Sequence, residues 1–180
     1  MKYISRWILK IAGWKCVKTA PDLDQSVICV APHTSNWDFA LCKLFAWSMG
    51  MQASFLMKKE WLLFPISYLL QAMGGIPVVR TKNNSMTEKI AAEFSKHKRF
   101  HIAIAPEGTR KYVKEWRKGF YYIALKANVP IQLAYVDFAK KEMGITEIFY
   151  PTGDVDADIQ KIRAFYADKK GKFPHKFHNN

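Results

Sequence analysis

Hydrophobic positions along the chain follow two alternating patterns. Short continuous apolar runs, rich in β-branched residues, alternate with longer segments in which apolar residues recur every three or four positions. The continuous runs predict strands and the spaced segments predict helices. The predicted strands cover residues 26–31, 52–57, 76–79, 100–105, 131–137 and 145–149, and the predicted helices cover residues 36–49, 60–73, 85–98, 118–128 and 156–169.

This alternation also predicts the fold class. A chain of 180 residues has the length of about one domain. Strands and helices that take turns favour a single α/β domain, in which a mixed, mostly parallel sheet is flanked by helices. We assign residues 19–170 to this domain. Residues 171–180 are rich in lysine and histidine, and they predict a frayed basic tail.

Residues 1–18 predict an amphipathic helix ahead of the domain. Five apolar residues recur at intervals of three and four and share one helical face: Ile4, Trp7, Ile8, Ile11 and Trp14. Basic residues between them leave no uninterrupted apolar region of the kind that a signal peptide has. Two interpretations stay open, because both need the same stripe: a helix that lies in a membrane interface, and a helix that packs on its own domain.

A second apolar stretch, residues 61–79, carries no charged side chain and is nearly long enough to cross a bilayer. Pro65, the pair Gly74-Gly75 and Pro77 divide it into a helix, a turn and a short strand. We therefore predict that this stretch does not span a membrane.

Charge narrows the possible partners, because 28 Lys and Arg residues against 15 Asp and Glu residues give a net charge of +13. Such a surface attracts nucleic acids, anionic lipids or small phosphorylated or carboxylated substrates. The three cysteines are odd in number and lack the spacing of a disulfide framework, which fits a reducing compartment. No set of His, Cys and carboxylate residues has metal-ligand spacing, and we expect neither a metal nor another cofactor.

The first segment with candidate catalytic residues follows the first predicted strand. It reads P-H-T-S-N-W-D and ends at Asp38. In a regular helix, His33 and Asp38 would lie about 140° apart and would not easily meet. At a junction of loop and helix, Asp38 falls in the first helical turn and can reach back to one imidazole nitrogen, while the other takes a proton from a hydroxyl. The alternative is a turn histidine beside a carboxylate that the helix dipole stabilises.

A second candidate segment, Pro106-Glu107-Gly108-Thr109-Arg110, follows the predicted strand 100–105. Gly108 permits a positive φ or a close backbone approach, and the Arg110 guanidinium matches two phosphate oxygens at once. Arg80 lies where the predicted strand 76–79 ends. These features suit a phosphate site, and the alternative is a solvated loop with a helix-capping threonine and a charged face.

Four segments carry a resemblance by their order and spacing: His33-x-x-x-x-Asp38, Gly74 to Arg80, Pro106 to Arg110, and Val129-Pro130-Ile131. They resemble the blocks of the lysophosphatidic acid acyltransferase family, the glycerolipid acyltransferases. The E-G-T-R tetrapeptide alone would arise by chance in about one chain in several hundred. The resemblance covers roughly residues 26–137. It implies transfer of a fatty acyl group from an acyl thioester to a hydroxyl of a glycerolipid-like acceptor.

The resemblance also implies a role for each matching residue. His33 is the general base, and Asp38 orients it. Lys58, in a K-x-E segment, assists the thioester oxyanion or the acceptor phosphate. The substrate-binding roles together fall to Lys58, Arg80, Glu107, Gly108, Thr109 and Arg110, with Arg80 and Arg110 on the phosphate. We further expect a backbone N–H near Gly108 to donate to the oxyanion.

One departure from the family pattern concerns the acceptor, because Leu133 stands where the fourth block has its second proline. The acceptor therefore stays open between 1-acylglycerol 3-phosphate, which is the simplest, glycerol 3-phosphate and a lyso amino-acid lipid. The co-substrate is acyl-CoA or acyl-ACP, where ACP is acyl carrier protein. An alternative of a different class is a basic module that binds membrane or nucleic acid without catalysis.

The expected partners are an anionic membrane surface, the lysophospholipid acceptor and the acyl donor. We expect no nucleic-acid partner, because the basic residues are scattered along the chain and no recognised nucleic-acid motif accompanies them. The expected location is cytoplasmic and peripheral, on the inner face of the cell membrane.

Overall fold

The computed structural model of the protein describes residues 1–58, 66–78 and 85–177, with the backbone alone at residues 58, 66, 78 and 85. The helices are α1 (Lys2–Ile11), α2 (Trp37–Met49), α3 (Ile66–Ala72), α4 (Ser85–Lys96), α5 (Gly119–Ala127) and α6 (Val155–Phe165). The strands are β1 (Lys15–Lys18), β2 (Gln25–Ala31), β3 (Ser54–Lys58), β4 (Gly75–Val78), β5 (Phe100–Ile104), β6 (Ile131–Asp137) and β7 (Glu142–Phe149). A 3₁₀ turn covers Pro174–Lys176.

The described strands form one seven-stranded sheet in the order β1-β7-β6-β2-β5-β3-β4. From β6 to β4 every neighbouring pair is parallel, and Val27 of β2 lies opposite both Ile131 of β6 and Ile102 of β5. β7 is antiparallel to β6, and β1 pairs in parallel with β7. The two strands at this edge of the sheet therefore run antiparallel to the other five. The predicted α/β domain with a mixed, mostly parallel sheet is confirmed.

The antiparallel edge differs from the sequence prediction. The helix predicted over residues 1–18 ends at Ile11, and the prediction is wrong for Lys15–Lys18, which form β1. This short edge strand has lysine at both ends and no continuous apolar run that would predict it. β7 begins at Glu142 instead of residue 145, because residues 142–144 continue the antiparallel pairing with residues 135–137 of β6. Of the predicted helix 60–73, residues 66–72 are described as α3.

Helices cover both faces of the sheet, because successive residues of the central strands point to opposite sides. Val27 and Ile102 face a core that includes Phe94 of α4, Phe120 of α5 and Ile162 of α6. On the other face the core holds Ile28, Val30, Leu41, Phe45 and Leu9, the last from α1. Continuous apolar runs in β2 and β6 are thus explained by burial on both sides.

α1 packs on α2 through a narrow side that holds Ser5 and Leu9, which are both buried. Within α1, the apolar stripe points away from the domain, since Ile4, Trp7 and Ile11 are 58%, 66% and 65% exposed. The interpretation in which this stripe packs on its own domain is therefore wrong for these three residues. Within the described ranges, no helix combines the length and the hydropathy needed to cross a bilayer.

The segment after α6 is ordered where the sequence predicted fraying. Gly171 is buried, and Phe177 packs against the core cluster that contains Trp116. The expectation of a frayed tail is therefore wrong for residues 171–177, because aromatic side chains among the lysines anchor the segment.

Candidate active site

The two candidate loops meet at one edge of the sheet. β2 and β5 are parallel neighbours, with Cys29 opposite Ile104 near their carboxyl ends. The loop that begins at Pro32 and the loop that begins at Ala105 therefore leave the sheet side by side. This is the edge at which parallel α/β sheets place their ligand sites.

Asp38 lies in the first turn of α2, and its carboxylate folds back onto the loop that precedes the helix. Oδ2 accepts the backbone N–H groups of Thr34 at 2.7 Å and Ser35 at 2.8 Å, and Oδ1 accepts the Ser35 hydroxyl at 2.7 Å. Burial acts to raise the pKa of Asp38, but interactions with His33 and Ser35 outweigh it and lower the pKa below its ordinary value. Asp38 is therefore a fixed, buried anion at neutral pH.

His33 lies beside this carboxylate. Its Nδ1 is 3.3 Å from Asp38 Oδ2, and its side chain is 22% exposed whereas that of Asp38 is 1% exposed. The imidazole thus connects a buried anion to the surface. A contact through Nδ1 makes Nε2 the nitrogen that can meet a substrate. The close approach expected from the loop-to-helix junction is present.

Glu107 lies behind the same loop and is buried. Its two carboxylate oxygens accept the backbone N–H of His33 at 2.9 and 3.1 Å. Burial raises the pKa of Glu107 to about 8, and the nearby negative charge of Asp38 adds to this, while the His33 hydrogen bond opposes it. Glu107 therefore holds the His33 backbone from within the protein, and it is not exposed for contact with a phosphate.

Gly108 has φ of +64°, a left-handed conformation that favours glycine. A Cβ at this position would lie 2.7 Å from Cδ and Nε of Arg117, so the Arg117 side chain lies directly against the Gly108 backbone. The Gly108 N–H donates to the Ala105 carbonyl at 3.1 Å. That hydrogen bond occupies the N–H of Gly108 itself, so the oxyanion donor expected near Gly108 would be the backbone N–H of a neighbouring residue.

The remaining predicted substrate contacts are less enclosed. Arg110 is exposed on the loop after β5, and the Thr109 hydroxyl accepts the backbone N–H of Lys111 at 3.3 Å. Thr109 thus stabilises a turn rather than capping a helix. Lys58 ends β3 at the same edge of the sheet, although its side chain lies outside the described residues, as does all of Arg80.

Sequence reasoning missed the backbone N–H groups of Thr34 and Ser35 as donors to the Asp38 carboxylate. No residue type marks a backbone donor, so the only available signal was the position of a carboxylate three or four residues later. Among the described residues, no three His, Cys, Asp or Glu side chains form a group that could bind a metal ion.

Comparisons with known proteins bear on this geometry. No curated protein matches the chain. Among solved structures, the chain is similar to the 1-acyl-sn-glycerophosphate (LPA) acyltransferase PlsC from Thermotoga maritima, with a TM-score of 0.61 over 94% of this chain and 80% of that chain. The sequence identity is 16%, so this likeness shows a shared fold.

The family assignment rests on a match over most of the chain. Residues 14–136 match the family model described as Acyltransferase, and this range contains His33, Asp38, Glu107 and Gly108. The resemblance of the four segments to glycerolipid acyltransferases is thereby confirmed, and the chain belongs to the Acyltransferase family.

Proposed function

We propose that this acyltransferase moves a fatty acyl group from acyl-CoA or acyl-ACP to a hydroxyl of a lysophospholipid, with 1-acylglycerol 3-phosphate as the simplest acceptor. The observation that carries the proposal is the arrangement of His33 against Asp38, whose carboxylate is fixed by three hydrogen bonds. A base held in this way is oriented before substrate binds, which is a condition for efficient proton transfer.

The proposed reaction needs no enzyme nucleophile. Nε2 of His33 takes the proton of the acceptor hydroxyl while the hydroxyl oxygen attacks the thioester carbonyl carbon. The new C–O bond forms, the C–S bond breaks, and the proton passes from His33 to the leaving thiolate. The Asp38 carboxylate stabilises the imidazolium between these two steps, as a carboxylate does beside a catalytic histidine.

Recognition of the acceptor phosphate is proposed for Arg110, together with Lys58 and Arg80. Arg110 lies on the loop after β5 and is exposed, so it can turn toward an anion at the mouth of the site. A guanidinium pairs with two phosphate oxygens, and a charge-assisted pair is roughly twice as strong as a neutral hydrogen bond. The same loop continues into Lys111 and Lys114, which add positive charge.

We also propose that the enzyme works as a peripheral protein on an anionic membrane surface, at the cytoplasmic face. The exposed stripe on α1 supports this proposal, because it combines Ile4, Trp7 and Ile11 with the basic residues Lys2 and Lys10 on one short helix. Helices of this composition lie in the plane of a membrane interface. An acyltransferase that meets lysophospholipid there gains access to an acceptor that is scarce in water.

The test is an acyl-transfer assay of purified protein that crosses acyl-CoA and acyl-ACP with 1-acylglycerol 3-phosphate, glycerol 3-phosphate and a lyso amino-acid lipid. Products are identified by mass. We expect transfer to the lysophospholipid, a decrease in kcat of about 10²- to 10⁴-fold for His33→Ala, and a smaller decrease for Asp38→Asn. The matched control is His97→Gln, since His97 is an exposed histidine at the opposite end of β5.

Full activity of both His33→Ala and Asp38→Asn would overturn the mechanism. Preferential transfer to the amino-acid lipid would keep the chemistry and change the acceptor, and Leu133 in place of the expected proline is the reason to include that substrate.

A further inference from the structure

Residues 170–177, here called the strap, cross the carboxyl edge of the sheet beside the candidate active site. At its start, the carbonyl of Lys170 accepts the backbone N–H of Phe138, the residue after β6, at 2.8 Å. The strap then passes over the loop that carries His33. It lies outside residues 14–136, which match the family model.

The strap touches the His33 loop at Thr34. A Cβ on Gly171 would lie 2.7 Å from both Oγ1 and Cγ2 of Thr34, closer than real Cβ contacts. Two residues later, the backbone N–H of Phe173 donates to Thr34 Oγ1 at 3.3 Å. The Thr34 side chain is thus enclosed by the strap, and it is 1% exposed.

Thr34 also belongs to the hydrogen-bond set of the catalytic pair. Its backbone N–H donates to Asp38 Oδ2, the same oxygen that His33 Nδ1 approaches. A displacement of Thr34 therefore moves a donor of the carboxylate that orients His33. The side chain of this residue faces the strap while its backbone faces the site.

The far end of the strap reaches the second loop of the site. Phe177 packs on Trp116, with ring centroids 6.5 Å apart, and Trp116 is buried. The next residue, Arg117, donates its backbone N–H to the Pro106 carbonyl at 2.8 Å and lies against Gly108. The strap therefore contacts both loops between which the substrate would bind.

We propose that the strap is a positioning element of the active site, in which Gly171 and Phe173 hold Thr34 so that Asp38 and His33 keep their productive geometry. This inference rests on the proposed acyl transfer. Thr34 and Gly171 are positioning residues, because they act through Asp38 rather than on the substrate.

The experiment compares Gly171→Ala with Gly119→Ala. Gly119 is the matched control, since a Cβ there meets nothing within 4 Å and its backbone is not in the left-handed region. For Gly171→Ala we expect kcat to decrease by about 10- to 100-fold with little change in KM for donor or acceptor, because small displacements of catalytic groups cost rate rather than binding. Gly119→Ala should retain the wild-type kcat.

A second pair of variants distinguishes the effect of losing the Thr34 hydroxyl from the effect of disturbing the fold. Thr34→Val removes the acceptor of the Phe173 N–H at nearly constant size, and Thr34→Ser retains it. We expect Thr34→Val to lower kcat several-fold and Thr34→Ser to restore most of it. This pair decides the question if Gly171→Ala fails to fold.

Amide hydrogen exchange provides a readout that does not depend on acyl transfer. In the protein without substrate, the Thr34 and Ser35 amides should exchange about tenfold faster in Gly171→Ala or Thr34→Val than in wild type or Gly119→Ala. Faster exchange with an inactive wild type would support the strap and overturn the proposed function. Unchanged exchange and unchanged kcat, with only a lower melting temperature, would overturn the strap proposal and leave the proposed function intact.

Discussion

At the scale of single residues, the pKa values of two carboxyl groups in the same site are shifted in opposite directions. Asp38 receives two backbone N–H groups, the Ser35 hydroxyl and the contact from His33, and its pKa is lowered although burial opposes this. Glu107 is buried with one backbone donor shared between its two oxygens, and its pKa rises to about 8. The number of donors thus decides which carboxyl stays charged at neutral pH.

The raised pKa of Glu107 predicts how stability depends on pH. Between pH 4.5 and pH 8 the folded protein holds a proton on Glu107 that the unfolded chain has lost, so this group lowers the free energy of unfolding as pH rises through that window. Glu107→Gln cannot ionise and still accepts the His33 N–H. We expect the variant to become more stable relative to wild type as pH rises, by roughly 3 to 5 kcal/mol at pH 8.5.

Urea unfolding at pH 5 and pH 8.5 measures this difference. Glu93→Gln is the control, because the pKa of Glu93 is lowered by its hydrogen bond with Lys96, and its replacement should give no gain at high pH. An equal pH dependence in wild type and Glu107→Gln would show that Glu107 is ionised in the folded protein.

These residues also show how far sequence reasoning reaches. The contact between His33 and Asp38 and the positive φ of Gly108 could be predicted, because each follows from residue type and spacing. Glu107 was expected to bind substrate. Its buried carboxylate accepts the backbone N–H of His33 in the structure, and no sequence pattern indicates that contact. Gly171 gave no sequence signal, because its neighbour Thr34 is 137 residues away and the contact exists only after folding.

At the scale of elements, the strongly patterned segments were predictable and the exceptions have local causes. β6 was predicted within its observed bounds, because its apolar run is buried on both sides. Lys43 is the opposite case: it is a lysine on the buried side of α2, where Nζ donates to the carbonyls of Ala53 at 2.8 Å and Met73 at 2.5 Å. The helical spacing of apolar residues predicts that a lysine is exposed. Here the two carbonyl acceptors satisfy the hydrogen bonding of the Lys43 ammonium group and permit its burial.

Substitutions on the two sides of α1 should have different effects, one on the free energy of unfolding and the other on binding to lipid vesicles. Leu9 is buried against the domain, so Leu9→Ala should lower the free energy of unfolding by about 2–4 kcal/mol. Trp7 is 66% exposed, so Trp7→Ala should leave the free energy of unfolding nearly unchanged and weaken binding to lipid vesicles at least about tenfold. Urea unfolding and vesicle sedimentation measure these two quantities on the same preparations.

Tyr150→Ala is the control for Trp7→Ala, because Tyr150 is an exposed aromatic residue outside α1, at 67%. It should bind vesicles as wild type does. If Trp7→Ala also binds as wild type does, the exposed stripe is not the lipid contact.

At the scale of the whole molecule, the net charge of +13 has an uneven distribution. Several lysines of the α/β domain are paired with carboxylates: Lys118 with Asp156, Lys126 with Glu88 and Lys140 with Asp168. α1 contains Lys2, Arg6 and Lys10 and no acidic residue. The local field at α1 is therefore positive, and it coincides with the exposed apolar stripe.

This coincidence predicts that attachment to membranes depends on where the charge lies and not only on its sum. Lys2→Gln/Lys10→Gln and Lys126→Gln/Lys140→Gln each lower the net charge by two, but the second pair removes lysines that carboxylates already partner. A lysine near an anionic surface contributes about 1 kcal/mol of binding. We therefore expect the α1 pair to weaken binding to vesicles rich in anionic lipid about tenfold or more, and the second pair to change it little.

Vesicle sedimentation at rising salt concentration completes the test. Binding of wild type to anionic vesicles should fall steeply, because screening shortens the range of the charges, and the α1 pair should show a shallower dependence. Vesicles of zwitterionic lipid should bind both proteins weakly and with little effect of salt, since the apolar stripe alone remains. Equal losses for the two double variants would assign attachment to the field of the whole protein instead of α1.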